Sequence, residues 1–84
     1  MCTYLTEIVP MLGSGKACDG WFKLSESSVY FDHPVHALLD HSLNIDFRNP
    51  DLGPGVRVAV ELSKESARNL AMAILRTLDA VGDF

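Results

Sequence analysis

The three histidines of the chain, His33, His36 and His41, stand together in the stretch from Tyr30 to Phe47, with Asp32 directly before the first. Neutral imidazole is the commonest protein ligand for a transition metal, and a neighbouring carboxylate often orients its second nitrogen. The three rings are therefore candidate metal ligands, spaced H-x2-H-x4-H so that a loop can bring them to one point. The spacing is not a standard zinc signature, because HExxH and paired cysteines are both missing.

Cys2 is the second reactive candidate. Removal of Met1 would leave it with a free α-amino group, and such a residue has three chemistries. Its thiolate can attack an electrophilic carbon with the amine as base, thiolate and amine can chelate a metal, or the pair can condense with an aldehyde. Cys2 is thus a candidate fourth ligand and also a candidate nucleophile that needs no metal. Zinc suits mixed nitrogen and sulfur donors best, and copper, nickel or iron also accept imidazole. An open coordination position would let bound water be activated for hydrolysis or lyase chemistry, with Asp32 or Glu61 as proton acceptor. The competing readings are plain: hydrogen-bonded histidines closing one end of a sheet, and a small apolar cysteine at the start of a strand.

Those residues need elements to hold them. Leu43, Ile45 and Phe47 alternate with Ser42, Asn44, Asp46 and Arg48 over a strand from His41 to Arg48. Val58, Val60 and Leu62 alternate with Arg57, Ala59 and Glu61 over the next strand, Arg57 to Leu62. Period-two alternation puts one face in the core, and the seven-residue turn-rich link from Asn49 to Gly55 makes the two strands an antiparallel hairpin. Its polar face, with Asn44, Asp46, Arg57 and Glu61, offers a second binding surface or a set of ion pairs. A first strand is expected over Thr3 to Leu12 and a flexible connection over Gly13 to Gly20. A second strand then runs from Trp21 to Leu24, breaks at Ser25 to Ser28 and resumes from Val29 to Phe31. Pro34 stops it, and Val35, Leu38 and Leu39 are spaced for a helical turn between Pro34 and Asp40.

By parity, His33 continues the face of Val29 and Phe31, and His41 continues that of Leu43 and Ile45. Two imidazoles are expected at one end of the sheet, with His36 on the connection between them. Ser63 is placed as a helix N-cap, and Ala67, Leu70, Ala71, Ile74, Leu78 and Val81 follow at helical spacing up to Gly82. Met11, Met72 and the alanines of this helix read as core or interface packing. The fold class is α+β: a four-stranded, mainly antiparallel sheet with the C-terminal helix across its apolar face, in the order ββββα, as one domain over residues 1–84.

Bulk properties narrow the function further. A chain of 84 residues with net charge −4 and scattered Lys and Arg is unsuited to a nucleic-acid backbone or an anionic membrane. No apolar run approaches the roughly 18 residues of a membrane span, so a soluble, cytoplasmic protein is expected. Cys2 and Cys18 do not make a disulfide framework. A core this small gains stability from burying further surface in an oligomer, so a homodimer is expected. That gives a runner-up function: a non-catalytic module binding a ligand or protein through a polar face or a free sheet edge.

The motifs MCTY at Met1 to Tyr4, GSGK at Gly13 to Lys16, GWF at Gly20 to Phe22, VYFDHPVHA at Val29 to Ala37, LNIDF at Leu43 to Phe47 and VAVEL at Val58 to Leu62 span nearly the whole chain. Together they resemble a family of short, uncharacterised actinobacterial proteins, a domain of unknown function. The resemblance implies a bacterial cytoplasmic protein and supplies no activity. The MCTY opening also looks like the start of N-terminal-cysteine amidotransferases, but their four-layer fold is beyond a chain of this length.

Overall fold

The computed structural model describes residues 5–84. Four strands, β1 (Thr6–Ala17), β2 (Gly20–Asp32), β3 (Ser42–Arg48) and β4 (Arg57–Leu62), form one antiparallel sheet in the order β1-β2-β3-β4, and helix α1 (Lys64–Val81) follows. The expected ββββα arrangement is the one observed. The hairpin of β3 and β4 carries the expected alternation in register, with Leu43 opposite Leu62, Ile45 opposite Val60 and Phe47 opposite Val58.

The first half of the sheet is longer than its residues suggest. Strand β1 runs on through the GSGK segment, so the expected flexible connection is strand, and the reversal is confined to Cys18 and Asp19. Gly20 follows at φ 119°, a conformation open to glycine alone without strain. Strand β2 is continuous through Ser25 to Ser28: Ser27 pairs with Val9 and Phe47, and Ser28 with Ile8 and Asp46. The expected break is absent because strands on both sides supply the ladder partners that serine would otherwise seek in a turn. The one irregularity lies in β1, where the register shifts between Pro10 and Gly13. The molecule's longest dimension is 42 Å. The tip of the long hairpin curls toward β4, with Lys16 and Trp21 across a cleft from Val56 and Ala59.

Between β2 and β3 the chain bends without forming the expected helical turn. Val35 and Leu38 are exposed, so no apolar side is buried to reward a helix there. After β3, Asn49 caps a short 3-10 turn over Pro50–Leu52, and Gly53 leaves it at φ 104°. Helix α1 starts at Ser63, whose side chain accepts the Ser66 N–H at 3.0 Å, and ends at Gly82.

The register sorts the sheet into two faces. Val29, Ile45 and Val60 share one with Phe31, Leu43 and Leu62; Tyr30, Asn44 and Glu61 share the other with Ser28 and Asp46. Helix α1 stands over the apolar face but does not close onto it. A cleft of about 560 Å³ opens between Val29, Phe31 and Ile45 on the sheet and Ala67, Leu70 and Ile74 on the helix. Among the described residues no hydrophobic side chain is buried, while Ser27, Ser28, Asp32, Ser42, Asn44, Asp46 and Asn49 are. The packing expected of Met72 is likewise not found within the chain, since it is half exposed.

Candidate functional site

Parity brings two of the three imidazoles together. His33 and His41 meet at one end of the sheet with ring centroids 4.6 Å apart. His41 in turn stacks on Phe31 at 5.7 Å and 13°, and the Lys64 ammonium stands 5.8 Å from the Phe31 centroid. Lysine, phenyl and two imidazoles thus follow one another from the rim of the helix cleft to the end of the sheet. Cation and aromatic faces attract through the ring quadrupole.

The segment between the two histidines is held by its backbone. The Asp32 carboxylate accepts the His33 N–H at 2.7 Å, and His33 Nδ1 lies 3.0 Å from the Asp40 carbonyl oxygen. Glu61, projecting from β4, accepts three successive N–H groups: Val35 at 2.6 Å, His36 at 2.9 Å and Ala37 at 2.9 Å. Three amides converging on one carboxylate favour its ionised form, so the Glu61 carboxyl is held below its ordinary range, chiefly by the bonds from Val35, Ala37 and His36. The two carboxylates expected as proton acceptors therefore have positions in the turn: Asp32 orders its entry and Glu61 its crest.

His36 sits on that crest, its backbone bound to Glu61. Cys2 lies outside the described residues. Among the described residues no three histidine, cysteine, aspartate or glutamate side chains are grouped to hold a metal ion. Cys18, at the tip of the long hairpin, is an exposed free thiol.

The polar face forms a second constellation. Asn44 pairs across the ladder with Glu61, and the Arg57 guanidinium lies 3.7 Å from the Asp46 carboxylate. Ser42 Oγ donates to Asn44 Oδ1 at 2.6 Å, and Tyr30 Oη donates to Asp46 at 3.4 Å. Burial raises the Tyr30 phenol above its ordinary value, the Asp46 charge and hydrogen bond add to this, and Asn44 and Arg57 oppose it. The phenol is a neutral donor here. Buried polar groups that satisfy one another define a rigid surface, but no side chain of this set is left unpartnered toward a ligand.

Three features escaped the sequence reading: the carboxylate clamp of Glu61, the ring stack, and the cleft under α1. The clamp left no signal, because its donors are backbone amides. The stack was half legible from the parity of Phe31, His33 and His41. The cleft left no sign in the spacing of side chains.

Among the described residues no helix is long and apolar enough to cross a membrane. In comparisons with known proteins, the model of a family described as of unknown function, DUF6295, matches residues 1–83. No curated protein and no solved structure matches.

Proposed function

The chain belongs to this family of unknown function, and from that premise we propose that it is a non-catalytic binding module that works by burying apolar surface against a macromolecular partner. One observation carries the reading: among the described residues the buried side chains are polar, while many large apolar ones stand exposed. Leu70, Ile74, Leu75 and Leu78 on the helix, and Ile8, Val9 and Trp21 on the long hairpin, are each at least 40% exposed. Extended apolar patches on a protein surface mark interaction sites, and the exposed stripe of α1 is one such surface. Asp32 and Glu61 support the same reading, because both carboxylates are engaged in holding a turn. A bacterial cytoplasmic setting goes with it.

The test is to measure the mass of the untagged chain in solution together with binding of an apolar dye. The reading expects either an assembly heavier than the 9.2 kDa chain or a 9.2 kDa species that binds the dye strongly. A cooperatively folded 9.2 kDa species that binds no dye would overturn it.

A second reading rests on the His33 ring. With its proton on Nδ1, donated to the Asp40 carbonyl, Nε2 is left as a lone pair beside His41. A backbone carbonyl orienting one nitrogen is the usual arrangement behind a metal-ligating imidazole. Under this reading His33 and His41 bind zinc or another transition metal, with Cys2 as the candidate to complete the set. Elemental analysis of untagged protein after incubation with zinc, copper and nickel decides it: near-stoichiometric metal lost in His33→Ala supports it, and metal-free protein ends it.

A further inference from the structure

We infer that the partner is a second copy of this chain, docked through α1 in antiparallel pairing, with Arg68 facing the partner's Asp79 and Lys64 at the partner's C-terminal end. This rests on the binding-module reading and specifies its partner. Four observations carry it.

The first is area. A compact monomer of this mass exposes about 4,900 Å², whereas this chain exposes 6526 Å². Its radius of gyration, 14.1 Å, likewise exceeds the roughly 12 Å of a compact chain of this length. Burying the excess of roughly 1,600 Å² on each of two copies gives an interface of about 3,200 Å², within the range of obligate homodimers.

The second is self-complementarity. The cleft presents Val29, Phe31 and Ile45 to whatever enters it, and the C-terminal half of α1 presents Leu75, Leu78 and Val81, each at least 45% exposed. One chain thus carries both an apolar slot and an apolar helix stripe to fill it. A two-fold axis satisfies both at once, because each copy gives what it receives.

The third is charge. On a helix of 3.6 residues per turn, Lys64, Arg68, Leu75 and Asp79 fall along one flank of the apolar stripe. The cations stand at the N-terminal end and the acid near the C-terminal end, followed by Asp83 just beyond the helix; no basic residue occupies the last turn. On an isolated helix this order opposes the macrodipole, since cations belong at the C-terminus. Antiparallel pairing reverses the conflict: each negative end receives the partner's Lys64 and Arg68. Glu65 is already placed for its own N-terminus, and Arg76 lies on a different flank.

The fourth is register. A single axis at the level of Ala73 and Ile74 sets Arg68 against the partner's Asp79 and brings Lys64 to the partner's C-terminal end, where Asp83 follows Gly82. The Arg68–Asp79 pair sets the alignment, and in antiparallel pairing the same flank of each helix meets across the seam.

The experiment uses the full chain with Arg68→Asp, Asp79→Arg and an equimolar mixture of the two, examined by native mass spectrometry and light scattering. Wild type is expected at twice the chain mass at micromolar concentration, and each variant alone to dissociate about tenfold more readily. In the mixture both charge pairs are restored between unlike chains, so heterodimer should exceed the statistical half. A variant that loses helicity alone and regains it on mixing supports the pairing equally. Statistical mixing, or variants that stay unfolded together, would overturn it. A folded wild-type monomer that binds the apolar dye would also overturn it, while leaving the binding-module reading in place with a different partner.

Discussion

Asn49→Ala should destabilise the fold by about 2 kcal/mol, and the figure follows from two bonds. Asn49 is buried at 7% exposure; its Nδ2 donates to the Lys23 carbonyl at 2.9 Å, and its Oδ1 accepts the Asp51 N–H at 3.1 Å. The first bond ties the loop after β3 to the long strand β2, and the second caps the 3-10 turn. Each neutral bond contributes about 1 kcal/mol net, and a shielded carbonyl left without its donor adds to the loss. In a domain of this size a deficit of 2 kcal/mol lowers the melting temperature by about 8 to 16 °C.

Asn49→Asp separates the two contributions. It keeps the acceptor for Asp51 and sets a carboxylate oxygen against the Lys23 carbonyl, so the cap survives and the cross-link does not. Urea titrations monitored by circular dichroism, at one fixed protein concentration so that any association contributes equally, give all three values. An Asn49→Ala variant within about 0.5 kcal/mol of wild type would refute the reasoning, since neither bond would then matter to the folded state.

Two further outcomes are expected. Because the Glu61 carboxyl is depressed in the folded state by its three amide donors, its contribution is fully present above the ordinary glutamate range and is lost as pH falls through the depressed value; Glu61→Gln should flatten that acid limb and speed hydrogen exchange of the Val35, His36 and Ala37 amides at neutral pH. Gly53→Ala should cost about 1 to 3 kcal/mol in a thermal melt, because φ 104° strains any L side chain even though nothing stands near the added methyl group.

Where residue type and partner agree, the fold was open to reading from the chain. Leu43, Ile45 and Phe47 match Val58, Val60 and Leu62 pair for pair, so alternation alone located the β3–β4 hairpin. The Ser63 cap and Gly82 bounded the helix for the same reason. Local preference misled where distant strands decided the outcome. Ser25 to Ser28 reads as a break, yet Phe47 and Val9 flank Ser27 in the ladder; Gly13 to Lys16 reads as a loop, yet Gly15 pairs with Phe22, where a side chain would crowd Leu24 at 3.2 Å.

The candidate site divides along the same line. Side-chain parity placed His33 and His41 at one end of the sheet, and there their ring centroids lie 4.6 Å apart. The Glu61 clamp depends on backbone amides that every residue carries, so composition could not reveal it. The helix stripe was plain in the spacing of Leu70, Ile74 and Leu78. That the helix stands open over the sheet, with a cleft between its first half and β2 and β3, is a tertiary quantity that side-chain spacing does not encode.

The register shift between Pro10 and Gly13 bears on how the outer edge of the sheet is presented to another strand. A sheet in the order β1-β2-β3-β4 leaves β1 as an outer strand, with Ile8 and Val9 exposed on it, the kind of edge that templates fibres. The bulge turns the two arms of β1 out of line, and a straight incoming strand can match one arm or the other but not both. The length of β1 open to an added strand is thereby cut to one arm or the other, which shortens the ladder that any edge-to-edge contact on this side could form.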